Sequence, residues 1–183
     1  MIRIIAGTLR SRLLLTPDTP LTQPTKDRVR EAVFSSLGSA VSQARVLDLF
    51  AGSGALGFEA YSRGAAFVHF NDRLPLATAT IKKNIQAFGM TAYTVTQQAF
   101  SHCLENLIET SDVFDLIFLD PPYKKGLAEL SFKQLHASSL IRERGIIVVE
   151  DEVDNTWLDS YSDWTIRHYR YGQTKVSIAW KKN

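Results

Sequence analysis

Val46-Leu-Asp-Leu-Phe-Ala-Gly-Ser-Gly-Ala-Leu-Gly-Phe-Glu59 decides the fold. Residues 46–50 are an apolar run broken only by Asp48, the pattern of a parallel strand buried on both faces. Gly52, Gly54 and Gly57 follow at G-x-G-x-x-G spacing, and the next residues open a helix. Strand, Gly-rich turn and helix in this order let a ligand reach backbone amides that a side chain would otherwise shield. The ligand class is an adenosine-containing cofactor. The motif alone does not choose between a dinucleotide and S-adenosylmethionine, and a tight turn before an ordinary helix has the same spelling.

Downstream of this stretch the chain alternates strand and helix. Strands are expected at 66–71, 91–96, 114–119 and 146–150, with helices at 75–88, 100–109 and 127–138 between them. Residues 164–171 and 175–180 are aromatic and β-branched and are separated by Gly172-Gln173-Thr174, which predicts a terminal hairpin. Repeated βα units with such a finish predict a mostly parallel doubly wound sheet ending in antiparallel strands. Upstream, residues 3–6 and 11–16 predict a small N-terminal hairpin from which Arg3, Arg10 and Arg12 project. Pro17, Pro20 and Pro24 mark an extended connection, and Thr25 is placed to cap a helix ending before Gly38. Two units follow: residues 1–24 as hairpin and linker, and 25–183 as the main domain with its leading helix at 25–38.

Composition narrows the class. The 183 residues suit one domain with a sizeable core, and no apolar run approaches the ~20 residues of a membrane span. The single cysteine, Cys103, excludes an internal disulfide and a Cys-rich metal site, and a cytoplasmic protein is expected. His69, His102, His136 and His168 have no metal-ligand spacing. Net charge is only +2, yet residues 1–45 carry seven Lys and Arg against Asp18, Asp27 and Glu31, which suits a polyanionic partner.

Asp72 lies 20 positions after Gly52 at the end of the next strand, where a carboxylate accepts both ribose hydroxyls of an adenosine. Asp120-Pro-Pro-Tyr123 ends the strongly apolar strand and separates the two cofactor classes. Its prolines stiffen the turn and stop a helix from forming. The Asp120 carboxylate and a neighbouring carbonyl become fixed acceptors, with the flat ring of Tyr123 beside them. An exocyclic amine on an aromatic base is a poor nucleophile because its lone pair is delocalised. Acceptors that hold its N–H bonds favour pyramidal geometry and release that lone pair toward a methyl sulfonium. A flipped base can stack on Tyr123. Lys124 follows, placed for a phosphate contact.

Residues 47–60, Asp120-Pro-Pro-Tyr123, Pro24-Thr-Lys-Asp-Arg-Val-Arg-Glu31 and the opening Arg3-Ile-Ile-Ala-Gly7 occur together and in order. In this the chain resembles the RsmD family of bacterial 16S rRNA guanine-N2 methyltransferases over nearly its whole length. The resemblance implies a class I methyltransferase fold with a seven-stranded sheet, S-adenosylmethionine as cofactor and an RNA-contacting N-terminal hairpin; a monomer is expected. It assigns Asp48, Phe50, Ala51, Gly52, Ser53 and Gly54 to the methionine and adenosine parts, Asp72 to the ribose, and Arg73, Gln98 and Ala99 to the adenine. Thr25, Arg28 and Arg30 belong to a segment that folds over the cofactor. Asp120, Pro121, Pro122 and Tyr123 form the catalytic turn, and Arg3, Arg10, Arg12, Tyr123 and Lys124 meet RNA of the small subunit or an assembly intermediate. Gln23 and Gln98 depart from the family pattern. Guanine presents N1–H and N2–H as adjacent donors to one carboxylate. Adenine-N6 methylation and a non-catalytic RNA-binding role remain the alternatives, with an NAD oxidoreductase behind them.

Overall fold

In the computed structural model, residues 2–16, 27–122 and 126–182 are described. Thr25, Tyr123 and Lys124, and the departure at Gln23, lie outside them. A seven-stranded sheet carries the chain, built from β3 (Arg45–Asp48), β4 (Phe67–Asn71), β5 (Tyr93–Thr96), β6 (Phe114–Leu119), β7 (Ile141–Glu152), β8 (Trp164–Tyr171) and β9 (Thr174–Lys181). Their order is β5-β4-β3-β6-β7-β9-β8. The first five pair in parallel, while β9 runs antiparallel to both β7 and β8. The strand order reverses between β3 and β6, so the crevice for a ligand opens at the carboxyl ends of those two strands.

Two apolar layers enclose the sheet. On one face α1 (Asp27–Leu37), α2 (Ala55–Ser62) and α3 (Pro75–Phe88) bury Val33, Phe34, Phe58 and Ile81 against Val46, Phe70 and Phe118. On the other, α4 (Phe100–Glu109) and α5 (Leu127–His136) bury Leu104 and Phe132 against Leu47, Ile117 and Ile147. Local chemistry sets the helix ends. Pro75 supplies the first turn of α3, where a missing N–H costs little, and Gly89 closes it in the left-handed conformation.

Three elements differ from the sequence reading. The N-terminal strands β1 (Ile2–Arg3) and β2 (Leu13–Leu14) are only two residues long. Ile4 still bonds across the hairpin to Arg12 and Ser11, but the residues beyond bond to helices: the Ile5 and Ala6 amides donate to Glu59 of α2 at 2.8 and 3.1 Å, and both backbone groups of Leu15 pair with the Asn84 amide of α3. Ile2, Ile4 and Leu14 join the same buried cluster as α1 and α2, so the hairpin shares the core of the main domain. Strand β7 begins five residues earlier than expected, because Phe114 pairs with Ile141 ahead of a register shift. A 3-10 turn at Trp157–Ser160 escaped the sequence reading and buries Leu158 under the second layer.

Candidate active site

The turn after β3 is laced to the end of β4. The Ala51 amide donates to the Asn71 carbonyl at 2.9 Å, and the Gly52 amide donates to Asp72 Oδ2 at 2.8 Å. Asp72 Oδ1 takes the Leu74 amide at 2.8 Å, so this carboxylate fixes the Gly-rich turn with one oxygen and the entry to α3 with the other. Each oxygen keeps a further lone pair for a hydroxyl donor. Gly54 enters α2 with φ 79°, a left-handed conformation that a side chain would strain, and no side chain caps this helix end. Gly57 serves packing: a Cβ there would lie 2.2 Å from the Phe70 ring, so α2 could not sit this close to β4. Ser53 is buried in the turn, and Phe50 packs on Phe100 with ring centroids 5.6 Å apart.

Asp48 points beneath this turn. It is fully buried, and Oδ2 accepts the Gly57 amide at 3.0 Å. Burial pushes its carboxyl up to about 7, opposed by the Gly57 hydrogen bond and assisted by the negative charge of Asp72. A cationic ligand group nearby would favour the ionised form.

A second buried network, built on Asn71, holds the crevice floor and was not legible in the sequence. Asn71 Nδ2 donates to the Leu49 carbonyl at 3.1 Å and the Gln98 carbonyl at 3.2 Å, and Oδ1 accepts the Thr96 hydroxyl at 2.8 Å. Thr96 Oγ1 also lies 2.9 Å from His69 Nε2. Burial holds the His69 imidazole down to about 4, so it is neutral at pH 7. The Thr96 proton is given to Asn71, which leaves His69 Nε2 as the donor in that contact. One amide thus ties together the segments that lead to Phe50 on one side and to Ala99 on the other. The signal available was a lone polar residue inside an apolar strand, the same signal that Asp48 gives.

Register sets the remaining residues. Asp48 pairs with Phe70 and with Phe118, and Leu119 pairs with Val149. Asp72, Phe50 and Asp120 follow within two residues of the ends of β4, β3 and β6, so they stand in a row along the carboxyl edge, at ~4.8 Å per strand. Asp120 and Pro121 follow β6 directly, with Pro121 buried and Pro122 exposed. Arg73 and Ala99 are exposed on the β4–β5 side of this row, and Gln98 is half-buried.

The arginines of α1 divide. Arg28 is exposed. Arg30 is wholly buried: its Nη2 is held by the Arg3 carbonyl and by Asp27, and its Nε lies 3.6 Å from Glu59. Glu59 also pairs with Arg63, so Arg30 clamps α1, the N-terminal strand and α2. Of the two, Arg28 is the one whose side chain is open to a ligand.

Arg10 and Arg12 stand away from this row. Arg12 donates to the carbonyl of Ala87 and covers the Phe88 ring at 5.1 Å, at the last turn of α3. Thr8 and Leu9, beside Arg10, bond to Ser62 at the last turn of α2. Both helices run back from the carboxyl edge of the sheet, so these turns lie at its amino edge. Arg3, exposed in β1, is folded back on the Ser11 carbonyl. Cys103 is buried with its thiol pushed up to about 11 by desolvation, which leaves it protonated and no nucleophile. No metal-binding group of three His, Cys, Asp or Glu occurs among the described residues, and none of their helices is long and apolar enough to cross a membrane.

The residues present fit S-adenosylmethionine. Asp72 offers acceptors to a ribose diol, the uncapped start of α2 suits a carboxylate, and the buried Asp48 suits an ammonium nearby.

A family model described as conserved hypothetical protein 95 matches residues 2–180. The chain is 34% identical over 165 residues to ribosomal RNA small subunit methyltransferase D of Escherichia coli K12, covering 90% of this chain and 82% of that protein. Its fold matches the solved structure of a putative methyltransferase, yhhF, from Escherichia coli with a TM-score of 0.88 at 32% identity, covering 99% of this chain and 98% of that one. A more distant structure, the Thermus thermophilus 16S rRNA N2 G1207 methyltransferase in complex with AdoMet and guanosine, matches with a TM-score of 0.71 at 22% identity. It covers 91% of this chain and 45% of that one, and bears on the fold alone: a class I methyltransferase fold with a mostly parallel sheet and an antiparallel finish.

Proposed function

The chain belongs to the RsmD family of rRNA methyltransferases, and from that premise we propose that it methylates the exocyclic N2 of a guanine in 16S rRNA of the small ribosomal subunit. The cofactor is S-adenosylmethionine, which when bound supplies an electrophilic methyl sulfonium. The observation that carries the reading is the placement of Asp72, Phe50 and Asp120 just past the carboxyl ends of β4, β3 and β6, around the sheet's switch point.

Asp72 binds the ribose through the lone pairs its two backbone amides leave. Asp48, ionised when a cation lies beside it, faces the methionine end, and Arg28 is the exposed cation of α1 for its carboxylate. Asp120 and the Pro121 carbonyl accept the N–H bonds of the guanine amine. They hold it pyramidal and so direct its lone pair toward the methyl donor. Positioning of this kind converts two bound reactants into one near-attack arrangement and supplies much of the rate. Tyr123, outside the described residues, is assigned by the family pattern to stack on the extruded base. A carboxylate that accepts twice suits the paired donors of guanine, whereas adenine sets its N1 acceptor against the same anion.

The test is transfer of labelled methyl to small subunits from cells that lack this protein, with digestion to nucleosides and Asp120→Ala in parallel. N2-methylguanosine formed only by the unaltered enzyme is the expected product. Label on adenine would overturn the base assignment and keep the fold.

A further inference from the structure

Resting on that reading, we infer that one face of the C-terminal hairpin is a second RNA-binding surface, on which Tyr169 and Tyr171 stack nucleotides flanking the target guanine while Arg167 from that face and Arg170 from the opposite face of the edge strand meet their phosphates along its outer edge.

The position follows from register. The last pair between β6 and β7 is Leu119 with Val149. Beyond it β7 continues through Glu150, Asp151 and Glu152, paired with Val176, Lys175 and Thr174 of β9. Those residues pair in turn with Tyr169, Arg170 and Tyr171 of β8. A three-stranded ribbon therefore projects three residues, ~10 Å, past the end of β6 beside the Asp120 turn. Tyr169 stands level with Asp120, three strands away, at ~14 Å across the sheet.

Alternation puts Thr165, Arg167, Tyr169 and Tyr171 on one face of β8, the edge strand of the sheet. Tyr169, Tyr171 and Trp180 are half-buried and pack on the same apolar layer as α1, while Arg167 is exposed with its guanidinium 5.5 Å from the Trp180 ring. An arginine and two tyrosines thus form a row at ~6.8 Å intervals along a strand that no other strand among the described residues pairs with on its outer side. Aromatic rings anchored by their inner atoms on a sheet are the stacking platforms of single-stranded RNA readers.

Charge selects the same partner. Residues 164–182 contain Arg167, Arg170, Lys175, Lys181 and Lys182 and no Asp or Glu. Lys175 is buried, and Lys181 and Lys182 donate to the carbonyls of Ile141 and Ser162, so among the described residues Arg167 and Arg170 are the exposed cations of the ribbon without such a tie. Among the described residues the acids that face the ribbon are Glu150 and Glu152 on the tyrosine side of β7, Asp151 on the other, and Asp159, which lies 2.8 Å from His168 on that other face of β8. Those of β7 separate the tyrosine row from Asp120, which drives the phosphates to the outer edge and leaves bases on the inside. A guanine drawn out of its stack exposes its neighbours, and the tyrosines replace the stacking those neighbours lose.

The experiment compares the full-length enzyme with Tyr169→Leu/Tyr171→Leu, Tyr169→Phe/Tyr171→Phe and Arg167→Gln/Arg170→Gln. The substrates are unmethylated small subunits and protein-free 16S rRNA. Leucine keeps the apolar packing and removes the ring; phenylalanine keeps the ring. The leucine pair should raise KM for either RNA by roughly 10- to 100-fold with kcat and S-adenosylhomocysteine affinity unchanged, and the phenylalanine pair should stay within about twofold of wild type. The arginine pair should flatten the salt dependence of RNA affinity by about 1.4 in log–log slope, as two lost single-strand contacts predict. An unchanged KM for the leucine pair overturns the inference, as does a phenylalanine pair that fails equally. Loss confined to the assembled subunit, with free RNA bound normally, overturns it in favour of a ribosomal protein partner. Filter binding of RNA keeps the two proposals apart: a wild type that transfers no methyl to guanine, while the leucine pair still loses RNA, removes the function and leaves the surface.

Discussion

The two ends of the chain each form an antiparallel hairpin with an excess of arginine and lysine, yet they occupy different places relative to the candidate site. The N-terminal hairpin is held by Glu59, Ser62 and Asn84, and its Arg12 ends on Ala87 at the last turn of α3. The C-terminal hairpin is part of the sheet and extends past the carboxyl edge, level with Asp120. Charge along the sequence marks both ends as partners for a polyanion. It does not say which end of the parallel strands each charge faces. Strand direction does: helices that return from the carboxyl edge carry whatever docks on their last turns to the amino edge.

Predictions sharpen this contrast by asking which residues affect cofactor, RNA or stability alone. Asp72→Ala removes the proposed ribose acceptor and releases the Gly52 and Leu74 amides. With each charge-assisted bond worth about 1.5–3 kcal/mol, S-adenosylhomocysteine affinity by calorimetry should fall at least 100-fold, while RNA affinity stays near wild type. Next in size, Glu59→Gln leaves the buried Arg30 facing a neutral group and should cost about 3–5 kcal/mol in denaturant unfolding. Early amide exchange at Ile5 and Ala6 would show the N-terminal hairpin releasing first. If RNA affinity collapsed more steeply than stability, the hairpin would have a direct role at the substrate and the contrast would fail.

Asn71→Asp takes the donor from the Leu49 and Gln98 carbonyls and should weaken cofactor binding about tenfold, read as a higher cofactor KM with kcat little changed. A smaller effect separates pH regimes. Because the Asp48 carboxyl is raised from 3.8 to about 7, its stabilising contribution is complete below about pH 4 and is lost as pH rises through 7. His69, lowered from 6.5 to about 4, contributes above 6.5 and loses its contribution as pH falls through 4. The two oppose each other between pH 4 and 7, so wild type alone would show little slope. Asp48→Asn should match its Tm below about pH 4 and exceed it at pH 8, and equal Tm values at both would refute the raised carboxyl. The smallest effect is expected at the far end: Arg10→Gln/Arg12→Gln should change the RNA KM by no more than about twofold at physiological salt. A change as large as that of the tyrosine pair would return RNA recognition to the N-terminal hairpin.

Much of the fold was legible because periodicity and punctuation agree over long segments. Helix α3, with Pro75 at its start and Gly89 after its end, and strand β6, with Pro121 soon after it, have the bounds expected from sequence. The N-terminal strands were overestimated because local alternation cannot reveal that Glu59, more than 50 residues away, takes their amides. Arg28 and Arg30 have the same helical spelling, and only packing sends one to solvent and the other into the core.

The sequence by itself determined the cofactor class and the two motifs that flank the site, because a Gly-rich turn, a strand-end Asp and a stiff Asp-Pro-Pro turn are local chemistry that needs no distant partner. Tertiary structure alone decided which residues share an edge. Asn71 became the clamp of the crevice, Arg30 a buried tie, and Tyr169 came to the same edge as Asp120, three strands away, because pairing across seven strands and the packing of helices on them join residues that are tens of positions apart.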